Sequence, residues 1–362
     1  MKKNYVTLEE VCVKGSSNIA QKDLEKNEGK YPIYGASGFI KNVDFYAQDK
    51  PYIAVVKDGA GIGRTMMLPA HSSVIGTMQY LLPKDNIDIS YLYYAVTAMN
   101  LAKYYTGATI PHIYFKDYRK EKLPVVDKIE QKKIVEVLSK IDALVIYHKR
   151  QLDDFEVLLK SRFIEMFGDP VENTKNWAII RLSELGELNR GVSKHRPRND
   201  KKLLGGKYPL IQTGDIAASD LYIKEYKATY SEEGLKQSKM WPSGILCITI
   251  AANIAKTAIL DFSACFPDSV VGFNSYERVT NIYMHFWFTF IQKILEEQAP
   301  ESAQKNINLK ILSELSVMVP PIELQNKFAD FVEQVNKSKL EVQKSLEELE
   351  TLKKSLMQQY FG

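Results

Sequence analysis

The residues best placed to do chemistry are Asp58-Gly59-Ala60-Gly61-Ile62-Gly63-Arg64, a glycine-rich run directly after the apolar segment 52–56. Such turns can cradle phosphate through backbone N–H groups. A Walker loop needs Gly-Lys-Ser/Thr after four intervening residues, which this run lacks. A Rossmann fingerprint needs the turn to open a helix, whereas residues 64–68 have the composition of a returning strand. The run therefore reads as a hairpin turn. The five histidines (His71, His112, His148, His195, His285) show no HxxxH or Cys/His ligand spacing, so no metal is expected. No serine nucleophile elbow and no Asp/Asn-Pro-Pro-aromatic methyltransferase motif is present. Residues 319–323 read as a proline stop before a helix, and Glu225-Tyr226-Lys227 matches a nuclease pattern only as chance allows. No catalytic constellation emerges.

Charged and polar loops say more. Residues 189–207 concentrate cations in a stretch bearing glycine and proline, and such side chains pair with phosphates or reach guanine edges. A charge cluster alone is more often a solvated loop. Its counterpart near the N-terminus, residues 12–30, is mixed in charge, a difference that fits loops diverged to read different sequences. The net charge of +4 over 362 residues is compatible with nucleic acid without identifying it. An apolar share of 45% is ordinary for a soluble protein, and the length favours two or more domains. Cys12, Cys247 and Cys265 are odd in number and widely spaced, as reduced structural thiols of a cytoplasmic protein would be. No secretory signal is expected, and the apolar runs 244–255 and 282–291 are too short to span a bilayer.

Two long amphipathic stretches would position such loops. Apolar side chains recur at Ile134, Leu138, Ile141, Val145, Leu152, Phe155 and Leu159, with His148 between Val145 and Leu152. This is a heptad seam. The C-terminal stretch repeats it at Phe328, Val332, Val335, Val342, Leu346, Leu349, Leu356 and Tyr360. The shift is constant: 328 − 134 = 194 and 346 − 152 = 194. At that shift Gln131 meets Gln325, Lys160-Ser161 meets Lys354-Ser355, and Phe167-Gly168 meets Phe361-Gly362. Coiled coils share a period by chance but rarely a terminus that breaks the heptad pattern, so the chain carries an internal duplication. His148, Arg162, Lys339 and Lys353 interrupt the seam, and are expected to fix register or face a docked partner.

The segments between repeat as well. Residues 8–11 answer 182–185, residues 30–39 answer 207–216, and residues 52–68 answer 244–260, with Asn253 and Ala255 replacing glycines of the first copy. Helices are expected over 89–106 and 283–295, a turn around Gly15, and a polar linker over 168–176. The reading is α/β (α+β) domains, duplicated: 1–128, a helix over 129–168, a linker over 169–177, 178–322, and a helix over 323–362.

Order and duplication together resemble one family, the specificity (S) subunits of type I restriction–modification systems. The carriers are "IEQKKIVEVLSKID" and "ELQNKFADFVEQVN", "LLKSRFIEMFG" and "LKKSLMQQYFG", "GGKYPLIQTGDI", "SAQKNINLKILSEL" and "GATIPHI". The resemblance implies two target-recognition domains, each reading half of an interrupted double-stranded DNA site. It implies two antiparallel coiled-coil spacer helices related by a pseudo-twofold axis. It implies docking to two methyltransferase (modification) subunits and to restriction/translocase subunits in host defence. S-adenosylmethionine, magnesium and ATP would sit on those partners, with no cofactor and no catalysis here. DNA-contact candidates are Lys14, Ser16, Tyr34, Ser37, Lys57, Arg64 and His112 in the first copy. The second offers Ser193, Lys194, Arg196, Arg198, Gln212, Thr213, Asn253, Lys256, Gln304, Lys305 and Asn306. The alternatives are a single-chain DNA-modifying enzyme with an unrecognised motif and a protein-only coiled-coil scaffold.

Overall fold

A computed structural model describes residues 4–107, 110–298 and 307–362. The chain divides into two compact units, Met1–Arg150 with Val342–Gly362, and Gln151–Glu341.

The first unit opens with β1 (Asn4–Thr7), α1 (Leu8–Val11), β2 (Cys12–Ser16), β3 (Tyr31–Gly35), β4 (Gly38–Val43), β5 (Tyr52–Val56) and β6 (Thr65–Leu68). It continues through β7 (Ser73–Val74), β8 (Met78–Pro83), α2 (Ile89–Ala98), α3 (Phe115–Tyr118), β9 (Lys122–Val125) and the start of α4 (Lys128–Phe167). The strands form a four-stranded sheet ordered β2-β8-β5-β6, a three-stranded sheet β4-β3-β7 and a ribbon β1-β9. β5 is buried along its whole length because both of its faces are covered. Its alternating side chains go opposite ways: Ile53 and Val55 join the core under α2, while Tyr52, Ala54 and Val56 pack with Val74 and Tyr80.

Two expectations change here. Gly15 is not a turn but lies inside β2 opposite Tyr80, where an added Cβ would sit 3.0 Å from the tyrosine Cβ. The glycine lets that ring lie against the strand. The helix expected to 106 ends at Ala98, because Asn100 adopts a left-handed φ of 47° and a short 3₁₀ turn, Leu101–Tyr104, follows.

The second unit ends α4 and then has β10 (Ala178–Arg181), α5 (Leu182–Leu185), β11 (Gly186–Arg190), β12 (Leu204–Leu210), α6 (Thr213–Ala218), β13 (Tyr222–Ile223), β14 (Ala228–Tyr230) and α7 (Glu232–Lys236). β15 (Met240–Trp241), β16 (Leu246–Thr249), β17 (Thr257–Leu260), β18 (Ala264–Cys265), β19 (Val270–Ser275), α8 (Asn281–Gln298), α9 (Leu309–Ser313), β20 (Ser316–Val319) and α10 (Ile322–Phe361) follow. Its main sheet, β11-β19-β16-β17-β13, repeats the order of the first unit and adds β13 in parallel at one edge. The second sheet is β14-β12-β18-β15, and β10 pairs with β20 as β1 does with β9. The sequences after the two "KYP" segments diverge in structure. Residues 35–38 close a β3–β4 hairpin, with Gly38 at φ 111°, whereas Gln212 opens α6 and its N–H donates to Asp215 Oδ2 at 2.9 Å.

Within each unit a stretch of α4 packs antiparallel to a stretch of α10. In the first, Lys149 pairs with Glu350 at 3.1 Å, His148 Nε2 lies 3.2 Å from Ser345 Oγ, and Lys353 pairs with Asp142. In the second, Phe163 packs against Phe328 and Lys339 pairs with Glu156. The glutamines matched by the shift of the duplication do one job twice. Gln131 accepts from Asp88 N at 2.8 Å and donates to Val126 O, and Gln325 accepts from Thr280 N at 2.9 Å and donates to Arg278 O and Pro320 O. Each buried amide ties the first turn of a long helix to the N-terminus of α2 or α8, satisfying backbone groups that helix ends leave open. The repeated C-terminal aromatics are anchors as well: Phe361 packs on Tyr91, and Phe167 on Tyr283, at ring-centroid distances of 5.1 and 5.0 Å. Tyr91 and Tyr283 in turn donate to Pro124 O and Met318 O.

Candidate nucleic-acid interface

In the first unit, strand register gathers polar residues at one end of the main sheet. Ser16 lies opposite Gln79, Gln79 opposite Val55, and Val55 opposite Thr65, so Ser16, Lys57 and Arg64 share that end. The glycine-rich run is a turn between antiparallel β5 and β6. Val56 N donates to Arg64 O at 2.9 Å and Gly63 N to Val56 O at 2.8 Å. Gly63 has a φ of 78°, and a Cβ there would meet Ala102 N at 2.4 Å, so this position requires glycine. Arg64 donates to Ala36 O at 3.1 Å, tying the turn to the hairpin that carries Tyr34 and Ser37. Lys57 pairs with Asp58 at 3.1 Å, and His112 Nδ1 lies 2.7 Å from the other Asp58 oxygen. Lys14 is exposed on β2, two residues before Ser16.

The second unit rebuilds the same end on other residues. Thr249 N donates to Lys256 O and Ala255 N to Thr249 O, the bonds made by Val56 and Gly63 in the first turn. Ala252 and Ala255 take φ of 64° and 57° where the first turn uses Gly59 and Gly63, at a cost of roughly 1–2 kcal/mol each. Ile307 N reaches Ile250 O as Ile113 N reaches Lys57 O. Asn253 and Lys256 are exposed on this turn, as is Gln212 at the start of α6, and Thr213 is half-buried.

Three arginines of the basic stretch 189–207 converge on one residue, Asp268. Arg196 NH2 lies 3.1 Å from Asp268 Oδ2, Arg198 NH2 pairs with Asp268 Oδ1, and Arg190 Nε donates to the Asp268 carbonyl oxygen. His195 and Lys202 converge on Asp200, whose carboxyl is held below its usual range, first by the Lys202 N–H. Ser193, expected to face DNA, is 7% exposed and its hydroxyl has no hydrogen-bond partner. Lys194 is exposed. Gln304, Lys305 and Asn306 lie outside the described residues. Arg190 and Asp268 were not singled out from sequence; the signal was that Arg190 ends the strand answering the one that ends at Ser16.

Of the helix residues, Ile134, Leu138, Ile141, Phe328, Val332, Val335 and Leu346 are buried. Val145, His148, Leu152, Phe155, Val342 and Leu349 are half-buried. The polar interruptions have partners inside their own units. Lys339, with 14% of its side chain exposed, pairs with Glu156 and, at 2.7 Å, with Asp220. Burial opposes its charge, yet the two carboxylates hold its pKa above the usual lysine value. Lys353 pairs with Asp142, which also accepts from Tyr94 at 2.9 Å, and Arg162 lies over the Phe331 ring.

Among the described residues no group of His, Cys, Asp or Glu could hold a metal ion. The three cysteines are buried, and desolvation raises the thiol pKa of each, that of Cys12 to about 12. These thiols are poor nucleophiles. No helix among the described residues is long and apolar enough to cross a membrane.

Comparison with known proteins agrees with this architecture. A type I restriction modification DNA specificity domain model matches residues 2–156 and 174–351. The MjaX type I restriction enzyme specificity subunit of Methanocaldococcus jannaschii is 23% identical over 252 residues, covering 65% of this chain and 57% of that protein. The MjaIX specificity subunit of the same organism is 20% identical over 309 residues, covering 76% and 69%. The chain thus spans a little over half of the first relative's length. The S subunit of a type I restriction–modification system from M. genitalium has the same fold, with a TM-score of 0.63 at 17% identity over 100% of this chain and 97% of that one. With both halves of the duplication matched, the chain belongs to the type I restriction modification DNA specificity domain family.

Proposed function

We propose that this chain is the non-catalytic specificity subunit of a type I restriction–modification assembly. Each unit reads one half of an interrupted site in double-stranded DNA. The domains 1–128 and 178–322 are the readers, the helices over 129–168 and 323–362 the spacers, and 169–177 the linker. The observation that carries this reading is the loop-bearing end of the main sheet. It is built twice on one hydrogen-bonded backbone, with Lys57, Arg64 and His112 in the first copy and Asn253, Lys256 and the arginines around Asp268 in the second. One scaffold with two sets of polar side chains suits two different half-sites. Lys14, Ser16, Tyr34, Ser37, Lys194, Gln212 and Thr213 are further contacts, as are Gln304, Lys305 and Asn306.

Two modification subunits and the restriction/translocase subunits supply S-adenosylmethionine, magnesium and ATP chemistry, and they share the phosphate contacts, which accounts for a net charge of only +4. The helices, 40 residues each, set the gap between half-sites. The test is methylome sequencing of a host expressing the chain with its modification subunits, with and without one heptad inserted in each helix. Each insertion adds roughly 10 Å of helix, or about three base pairs. An interrupted motif whose gap lengthens supports the reading. A continuous motif, or methylation by this chain alone, overturns it.

A further inference from the structure

The arginines around Asp268 are not equivalent. Arg196 spends both terminal nitrogens inside the protein: NH1 on the carbonyl oxygens of Ser193 and His195, NH2 on Asp268 Oδ2. It braces its own loop. Arg198 meets the same carboxylate through NH2 alone, and Arg190 meets the Asp268 carbonyl oxygen through Nε alone. Each keeps a donor edge for an outside acceptor. Backbone packing sets where these side chains start. Gly191 N donates to Val270 O at 2.8 Å, and a Cβ on Gly191 would come within 2.3 Å of Pro267 O, so the basic loop lies against the turn that carries Asp268. Among its described residues the first unit has no such device. Gly76 stands where Asp268 does, since Met78 N to Ile75 O repeats Val270 N to Pro267 O, and Ser16 stands where Arg190 does.

We propose that Arg190 and Arg198 read guanine in the major groove of the second half-site, that Asp268 is their positioning residue, and that Arg196 is a brace rather than a reader. This rests on the DNA-reading function proposed above. Arginine offers the paired donors that guanine O6 and N7 accept, and a fixed acceptor behind the guanidinium, the Asp268 carboxylate for Arg198 and the Asp268 backbone carbonyl for Arg190, restricts a long side chain to one orientation before binding. Asp268 also lowers the local positive charge, which weakens contacts to phosphate that carry no sequence information.

The test is selection from a random duplex library by the full-length chain assembled with its modification subunits. R198A and R190A should each lower the preference for guanine at a position in one half-site by roughly 5- to 150-fold, leaving the other half-site intact. D268N should blunt the position read by Arg198, and less so that of Arg190, which the Asp268 backbone carbonyl still holds, while tightening binding to unrelated DNA at low salt, and D268E should restore selectivity. R196A should lower the thermal midpoint and weaken binding without erasing one particular base. Two outcomes overturn the inference: guanine preference unchanged in R198A, R190A and D268N, or a D268N loss spread evenly over both half-sites. A wild-type assembly that selects no interrupted motif overturns the function on which the inference rests. An interrupted motif that ignores these substitutions overturns the inference alone.

Discussion

The two units share a strand order and differ in nearly everything that decorates it. β2-β8-β5-β6 and β11-β19-β16-β17 are the same sheet, and Gln131 and Gln325 anchor the same helix turn. The differences fall at helix ends and loops. Where α4 enters the second unit, Phe163 meets Phe167, Tyr283, Phe290 and Phe328 at ring-centroid distances of 4.9–5.5 Å. Its counterpart in the first unit is the half-buried Met357. One turn uses glycines for its left-handed residues, and the other holds alanines in the same conformations. Duplication therefore preserved the backbone hydrogen bonds that place the loops, while packing and loop chemistry diverged.

The largest expected contrast lies at the helix ends. Phe163→Ala empties a fully buried aromatic site and should cost the second unit about 3–5 kcal/mol, whereas Met357→Ala should cost the first below about 2 kcal/mol because the side chain is half exposed. Urea unfolding can separate the units, since all three tryptophans, Trp177, Trp241 and Trp287, lie in the second. A Trp-detected midpoint unmoved by Phe163→Ala would show that the cluster is not what holds α4 there.

Acid should discriminate next. His285 is buried against Thr257, and desolvation pushes its pKa down from 6.5 to about 4, partly opposed by the Thr257 bond. The unfolded chain takes up that proton first, so stability is full above pH 6.5 and falls as pH drops toward 4, by about 3 kcal/mol at most. Tyr93 occupies the matching place in the first unit. The loss should appear in tryptophan-detected unfolding at pH 5 against pH 7 and diminish in His285→Gln. Equal slopes for the two proteins would remove His285 as the cause.

The smallest effect belongs to the helix lysines. Asp220 is largely and Glu156 about half exposed, so Lys339→Leu should cost about 1 kcal/mol or less, and Lys353→Leu somewhat more because Asp142 is less exposed, though it keeps its bond from Tyr94. Co-purification with the modification subunits should survive both changes if these lysines serve their own units. Lost association with unchanged unfolding midpoints would make them docking residues.

Period and repetition in the sequence determined the two long helices, the duplication and the mixed α/β class. A heptad pattern reports a buried stripe directly, and the matched glutamines and terminal aromatics proved to be anchors in both copies. The hairpin reading of the glycine-rich run also followed from local composition, because the segment after it has strand character. Two features belonged to tertiary structure: Gly15 sits in a strand because Tyr80 crosses it, and Ser193 is buried despite its polar neighbours. The helix at "QTGDI" had a local signal that sequence reasoning missed, since Asp215 caps Gln212 three residues away. Residue type placed Arg196 and Arg198 on equal terms, and only their hydrogen-bond partners separated the brace from the arginine with donors to spare. Asp268, 70 residues from Arg198 along the chain, came to that site through the pairing of β11 with β19. Local patterns fix which elements form; the long-range register decides which side chains meet.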